Sequence, residues 1–187
     1  MIAHAVLATA AACSGVFHQA PTHKLGDFRA PLVIGDSVTA EVQHHLAADG
    51  FEVDARVCRE WQEGSHRVFL RKLHHTLGHE VVMFLGANWH VTPQDLRHTY
   101  DVVGPTRLLV LVTPVERGGF AGADARNERV FAKAHPHRVL LLDWAKYALP
   151  HRSWFGSDGL HLHVGGARGL VRLMRRALPY AAPGRFP

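Results

Sequence analysis

Leu108-Leu109-Val110-Leu111-Val112 carries no polar residue on either face of an extended chain, so it reads as a strand covered on both sides. Val139-Leu140-Leu141-Leu142 reads the same way, and a helix-length amphipathic stretch lies between them at 124–135. Parallel neighbours need such a crossover, and the crossover helices then cover both faces of the sheet. Working outward, the same rhythm places strands at 31–34, 51–57, 80–85, 107–112 and 138–143, and helices at 39–49, 65–77, 92–103, 124–135 and 165–177. Thr92-Pro93-Gln94-Asp95 supplies a capping hydroxyl, a proline in the first turn and an acidic residue beyond it, while Asp49-Gly50 is a helix stop. The expectation is an α/β protein: a three-layer α/β/α sandwich on a five-stranded parallel sheet, spanning 31–180 as one domain with a short tail at 181–187.

Length and composition agree with this. The chain has 187 residues, little more than one domain at roughly 150 residues each. With 47% hydrophobic and 20% charged residues it is an ordinary globular composition, which excludes disordered, collagenous and coiled-coil classes. The formal charge of +5 is spread along the chain, and its densest group, Arg168, Arg172, Arg175 and Arg176, has no interleaved aromatics for base stacking, so no nucleic-acid partner is expected. The two cysteines, Cys13 and Cys58, make neither a disulfide framework nor a cysteine zinc site; one pairing stays open without a sequence argument for it. Residues 1–30 read as a flexible leader or a signal-like segment. The apolar run 3–17 is too short to span a bilayer and lacks a basic residue ahead of it, so export and a cytoplasmic location both stand.

In an open parallel sheet, ligands sit outside the carboxyl ends of the strands, so the residues just after each strand decide the chemistry. Gly35-Asp36-Ser37 puts a hydroxyl on a tight strand-to-helix turn, beside the free N–H groups of a helix start. Serine is a poor nucleophile until a base takes its proton. His161 is the histidine at a strand-end loop with a nearby carboxylate, Asp158, to orient it. Asn88, after Gly86-Ala87, offers an amide to a developing oxyanion, and the backbone N–H groups of Ser37 and of the Cys58 loop would complete the hole. Singly, each piece has a plain structural reading: Asn88 as a turn residue, Cys58 as a small buried hydrophobe. Jointly, three strand ends and the final loop supply complementary roles in a fold that converges those ends. Arg59, Trp89, His90, Val115 and Trp154 lie in or near the same loops and are weak candidates for a substrate pocket. His161-Leu162-His163 has a metal-like spacing but no third ligand except His90, and Gly118-Gly119 with Gly122 lacks the ending of a phosphate loop, so no metal or other cofactor is expected.

These residues resemble the four blocks of the SGNH (GDSL-like) hydrolases: Val33-Ile34-Gly35-Asp36-Ser37, Phe84-Leu85-Gly86-Ala87-Asn88 and Ser157-Asp158-Gly159-Leu160-His161-Leu162 stand in the family's order. The likeness is nearest to the SGNH domains attached to membrane O-acyltransferases, to which 92–96, 112–114 and 142–144 are also similar. It implies a flavodoxin-like fold and a serine esterase or O-acyl (acetyl) transferase. That enzyme would work on a small acyl ester or O-acetylated carbohydrate through an acyl-serine, in association with a membrane acyltransferase. The glycine block departs: Cys58 stands where the family has its oxyanion glycine, with Gly64 as the alternative block residue. That departure motivates the alternative, a ligand-binding module that kept the fold and lost turnover.

Overall fold

The computed structural model describes residues 13–119 and 121–187 of the chain. The sheet is built from β1 (Val16–Gln19), β2 (Leu32–Gly35), β3 (Glu52–Arg56), β4 (Glu80–Phe84), β5 (Leu108–Val112) and β6 (Val139–Leu142), in the spatial order β1-β3-β2-β4-β5-β6. Strands β3, β2, β4, β5 and β6 run parallel as the sequence predicts, while β1 is an additional strand, antiparallel to β3. The expected boundary at residue 31 therefore falls too late: 16–19 pairs in the sheet and is not leader. The apolar run expected as a signal-like core lies mostly in 1–12, outside the described residues. No helix among the described residues is long and apolar enough to cross a membrane.

Alternation along the strands divides the core in two. Val33, Val53, Val82, Val110 and Val112 face one way, against α1 (Ser37–Ala48), α5 (Trp144–Ala148) and α6 (Val164–Met174). Leu32, Ile34, Val81, Met83, Leu109 and Leu111 face the other way, against α2 (Trp61–Leu73), α3 (Pro93–Val103) and part of α4 (Ala123–Ala134). Every residue of β5 is buried, which is why its sequence is unbroken Leu and Val. Each such side chain is worth about 1.5–3 kcal/mol of burial, so both helical layers are held to the sheet by this strand and its neighbours.

Local chemistry shifts two helix starts from those predicted. Helix α1 begins at Ser37, not 39, because the Asp36 carboxylate accepts the Val38 N–H and caps it. Helix α2 begins at Trp61, not 65, and Gly64 lies inside it. A Cβ on Gly64 would stand 2.4 Å from Leu85 Cδ1, so glycine here lets the helix approach the sheet. Gly64 is thus a packing residue, and the alternative assignment of Gly64 to the oxyanion block is corrected. The start of α3 is as read, with Thr92 and Asp95 exchanging both bonds of a capping box.

One buried group sets a pH dependence. Glu80, the first residue of β4, is 1% exposed, neither carboxylate oxygen has a hydrogen-bond partner among the described residues, and burial pushes its pKa up to about 8. The folded state therefore binds a proton that the unfolded chain has already released, so this contribution is complete below the usual glutamate range and is lost as pH rises toward 8. Glu80→Gln is expected to flatten that loss, which reaches about 1.4 kcal/mol per pH unit at its steepest. Urea unfolding of both proteins at about pH 5 and about pH 9 checks it: the variant should gain on the wild type with rising pH, and parallel curves would refute the assignment.

Candidate active site

The register brings the candidate residues together. Gly35, the last residue of β2, pairs with Ala55 of β3 and Phe84 of β4, so the chain leaves these strands at one level. Strand order reverses between β2 and β4, which opens the crevice that parallel sheets use for ligands. A Cβ on Gly35 would lie 1.8 Å from Thr39 Oγ1, so glycine is what allows α1 to fold back tightly and raise Ser37 at the crevice.

Ser37 and His161 are separated by 124 positions in sequence, yet Ser37 Oγ lies 3.0 Å from His161 Nε2. His161 Nδ1 lies 2.6 Å from Asp158 Oδ2. The bond to His161 and the N–H groups of Leu160 and His161 hold the Asp158 pKa down at about 2, so the carboxylate is ionised and only accepts. That fixes the tautomer: Nδ1 carries the proton and donates to Asp158, leaving the Nε2 lone pair to accept from Ser37. The loop is held from both sides. The Leu162 N–H donates to Glu41 Oε2 of α1 at 2.9 Å, and the Gly118 N–H donates to the Asp158 carbonyl at 3.2 Å. Sequence reasoning missed Glu41, which stands 121 positions from Leu162 with no local pattern to mark it.

Asp36 and Asn88 form a second pair. Asn88 Nδ2 donates to Asp36 Oδ2 at 3.3 Å and to the Arg59 carbonyl at 3.5 Å, while Asp36 Oδ1 holds Val38 N–H at 3.0 Å. Asp36 is 2% exposed, and burial raises its pKa to about 6. Its carboxylate thus joins the serine turn to the asparagine loop. The Asn88 contacts are long, which leaves its amide available to a better acceptor.

Cys58 is not the small buried hydrophobe of its plain structural reading: it is half-buried and bonded to Cys13, 45 positions earlier, the one pairing the sequence left open. It stands in the left-handed region at φ +60°, where glycine is the usual occupant. Arg59 is corrected as well, since its side chain is buried against Asp54 and the Gly35 carbonyl and does not line a pocket. Trp154 stacks on Trp144 and His151 and meets the glycines of α6, and Val115 is buried; both belong to packing. Trp89 and His90 are exposed on the loop beyond Asn88, with Trp89 at 63%. Among the described residues no group of three or more His, Cys, Asp or Glu is arranged to hold a metal ion. A cavity of about 620 Å³ between β6 and α5 contains none of the candidate residues.

No protein-family model matches the chain. It is 28% identical over 150 residues to the candidate peptidoglycan O-acetyltransferase YrhL of Bacillus subtilis, covering 79% of this chain and 23% of that protein. It is 27% identical over 153 residues to the O-acetyltransferase OatA of Staphylococcus aureus, covering 79% and 25%. The chain thus spans about a quarter of the length of the curated relatives it matches. Among solved structures, the C-terminal catalytic domain of Streptococcus pneumoniae peptidoglycan O-acetyltransferase A, carrying a methylsulfonyl adduct, superposes with a TM-score of 0.68 at 23% identity, covering 83% of this chain and 96% of that one. A GDSL-like lipase of Bacteroides thetaiotaomicron superposes with a TM-score of 0.62 at 12% identity, covering 82% and 89%. In the topology of its sheet and in the order of its Ser37, Asn88 and Asp158-His161 blocks along that sheet, the chain has the fold of the SGNH (GDSL-like) hydrolases.

Proposed function

We propose that this chain is a serine acyl-transfer domain that moves an acetyl group to or from a hydroxyl of a peptidoglycan-type carbohydrate. The observation that carries this reading is the continuous relay from Ser37 Oγ through His161 to Asp158, at 3.0 and 2.6 Å. The names of the sequence relatives support the acetyl group and the glycan.

The chemistry follows from the geometry. His161 Nε2 takes the Ser37 proton as Oγ attacks the ester carbonyl, and the imidazolium that forms is stabilised by the ionised Asp158. The oxyanion is held by the Ser37 and Cys58 backbone N–H groups and by Asn88 Nδ2, which turns from the Arg59 carbonyl toward the new charge. His161 then protonates the leaving alcohol, and an acetyl-serine remains. A second hydroxyl, deprotonated by the same histidine, takes the acetyl group: water makes the step a hydrolysis, a sugar hydroxyl makes it a transfer. The relatives are about four times as long as the matched segment, and in this proposal the acetyl donor is delivered by a membrane acyltransferase acting with the domain. The alternative of a non-catalytic module drew on Cys58 replacing glycine. Cys58 adopts a glycine conformation, so that motive falls away.

The test supplies p-nitrophenyl acetate as donor with N-acetylglucosamine oligomers as acceptors, and follows the oligomers by mass spectrometry. The expected result is a mono-acetylated oligomer that forms with wild type and is absent with Ser37→Ala. Donor cleavage insensitive to Ser37→Ala would overturn the serine reading, while Ser37-dependent cleavage that never acetylates an oligomer would reduce it to a hydrolase.

A further inference from the structure

We infer that the Cys13–Cys58 disulfide is a positioning device for the reaction, holding the Cys58 backbone N–H in place as an oxyanion donor. The inference rests on the serine mechanism proposed above and goes beyond it by assigning a role to Cys13, which touches no reacting atom.

The argument begins at the end of β3. The Arg59 N–H donates to the Arg56 carbonyl at 3.1 Å, closing a turn in which Cys58 is the third residue at φ +60°. A positive φ at that position suits glycine or asparagine, because a Cβ crowds the following carbonyl. A cysteine placed there tends to relax to a negative φ, and the turn tilts with it. The disulfide opposes that relaxation from a fixed point. Cys13 lies just ahead of Gly15, whose carbonyl accepts the Val57 N–H at 2.9 Å, and β1 then pairs with β3 from Val16↔Arg56 to Gln19↔Val53. The anchor is therefore the edge of the sheet itself. The turn is also tied to the catalytic crevice by the next residue: the Arg59 carbonyl receives Asn88 Nδ2, and its guanidinium donates to the Gly35 carbonyl at 3.3 Å. Among the described residues no acceptor is assigned to the Cys58 N–H, which leaves it for the substrate oxygen. A covalent cross-link thus does here what a glycine does by having no side chain. Reduction by a dithiol opens the S–S bond to two thiols, the dithiol closing to its own disulfide, and so releases the turn.

The test compares oxidised wild type, dithiol-treated wild type, Cys13→Ser and Cys13→Ser/Cys58→Gly on p-nitrophenyl acetate. Circular dichroism confirms the fold, and Ser37→Ala serves as control. Losing one well-placed oxyanion donor lowers kcat about 10²–10³-fold, and a displaced one should lose at least about tenfold. Cys13→Ser and the reduced protein are expected to lose that much kcat with KM nearly unchanged. The double variant should recover most of it, since glycine takes φ +60° without the cross-link. Unchanged kcat in Cys13→Ser overturns the inference. So does a folded double variant as slow as the single one, because the disulfide would then be only a staple for β1. If Cys13→Ser fails to fold, the double variant decides alone, its kcat either near wild type or far below it. Wild-type turnover that survives Ser37→Ala overturns the serine mechanism instead, which keeps the two failures apart.

Discussion

Alanine at Ser37 or at His161 is expected to lower kcat toward a small acetyl ester by about 10⁴-fold or more, and alanine at both should cost little beyond either alone. The reason is geometric. Without Oγ there is no acyl-enzyme, and without the imidazole nothing is placed 3.0 Å from Oγ to take its proton. Asp158→Asn should be milder, about 10²–10³-fold, because Asp158 lies at the exposed rim, where water can partly stabilise the imidazolium. The amide in that variant also loses the strict acceptor character that fixes the Nδ1–H tautomer of His161. None of these changes should cost much stability: Ser37 and His161 are half-buried and Asp158 is exposed, and such positions usually move folding by about 0.5 kcal/mol. Steady-state kinetics on the acetyl ester, with thermal melts alongside, measure both quantities. A Ser37→Ala protein within tenfold of wild type would remove serine from the mechanism.

The sequence displays the site and hides its support, for a physical reason. Ser37 and Asn88 directly follow strands whose apolar runs are unmistakable, and in a parallel sheet the strand end tells where such residues go, while Asp158 and His161 stand on the last loop before α6, marked by their own spacing. The β4 and β5 runs are buried on every residue, so their pattern survives without any tertiary information. Strand β1 has no such pattern. It is four residues long, alternates between exposed and half-buried, and becomes a strand only because the edge of β3 is there to pair with. The Cys13–Cys58 bond depends on that pairing, so it was no more legible than β1 itself. Arg59 and Gly64 mislead for the same reason. An arginine next to a strand end looks like a ligand for substrate until its partner, Asp54, is found on the inner side of β3. A glycine six residues beyond Cys58 looks like loop until Leu85 is found against it.

Arg59→Ala is the substitution expected to cost most in stability, about 3–5 kcal/mol, and the cost lies mainly in what it leaves behind. Arg59 is 2% exposed and donates to Asp54 Oδ1 at 2.7 Å, to the Asp54 carbonyl at 2.5 Å, to the Gly35 carbonyl at 3.3 Å and to Glu63 Oε1 at 3.4 Å. Asp54 is itself 3% exposed, and desolvation alone would raise its pKa. The Arg59 and Arg67 guanidiniums reverse this and hold it below the usual carboxylate range. Removing Arg59 takes a donor from two buried carbonyls and leaves Asp54 with the half-exposed Arg67 at 2.9 Å and the exposed His18 at 3.6 Å. The sign of the pH dependence should change with it. In wild type the Asp54 contribution is present above the ordinary aspartate range and is lost as acid protonates the carboxylate through its lowered folded pKa. In the variant, burial with one partner gone raises that pKa, so folding weakens as pH rises through the carboxylate range, and the gap between the two proteins narrows in acid. Arg59→Lys should restore little, because a single ammonium cannot span the carboxylate and two carbonyls that the planar fork reaches at once. Urea unfolding at about pH 4 and about pH 7 measures both effects, and a loss under about 1 kcal/mol at neutral pH would mean that Asp54 finds other partners. Since the same guanidinium binds the last carbonyl of β2, which sets the height of Ser37, the folded fraction of the variant should also turn over more slowly than wild type.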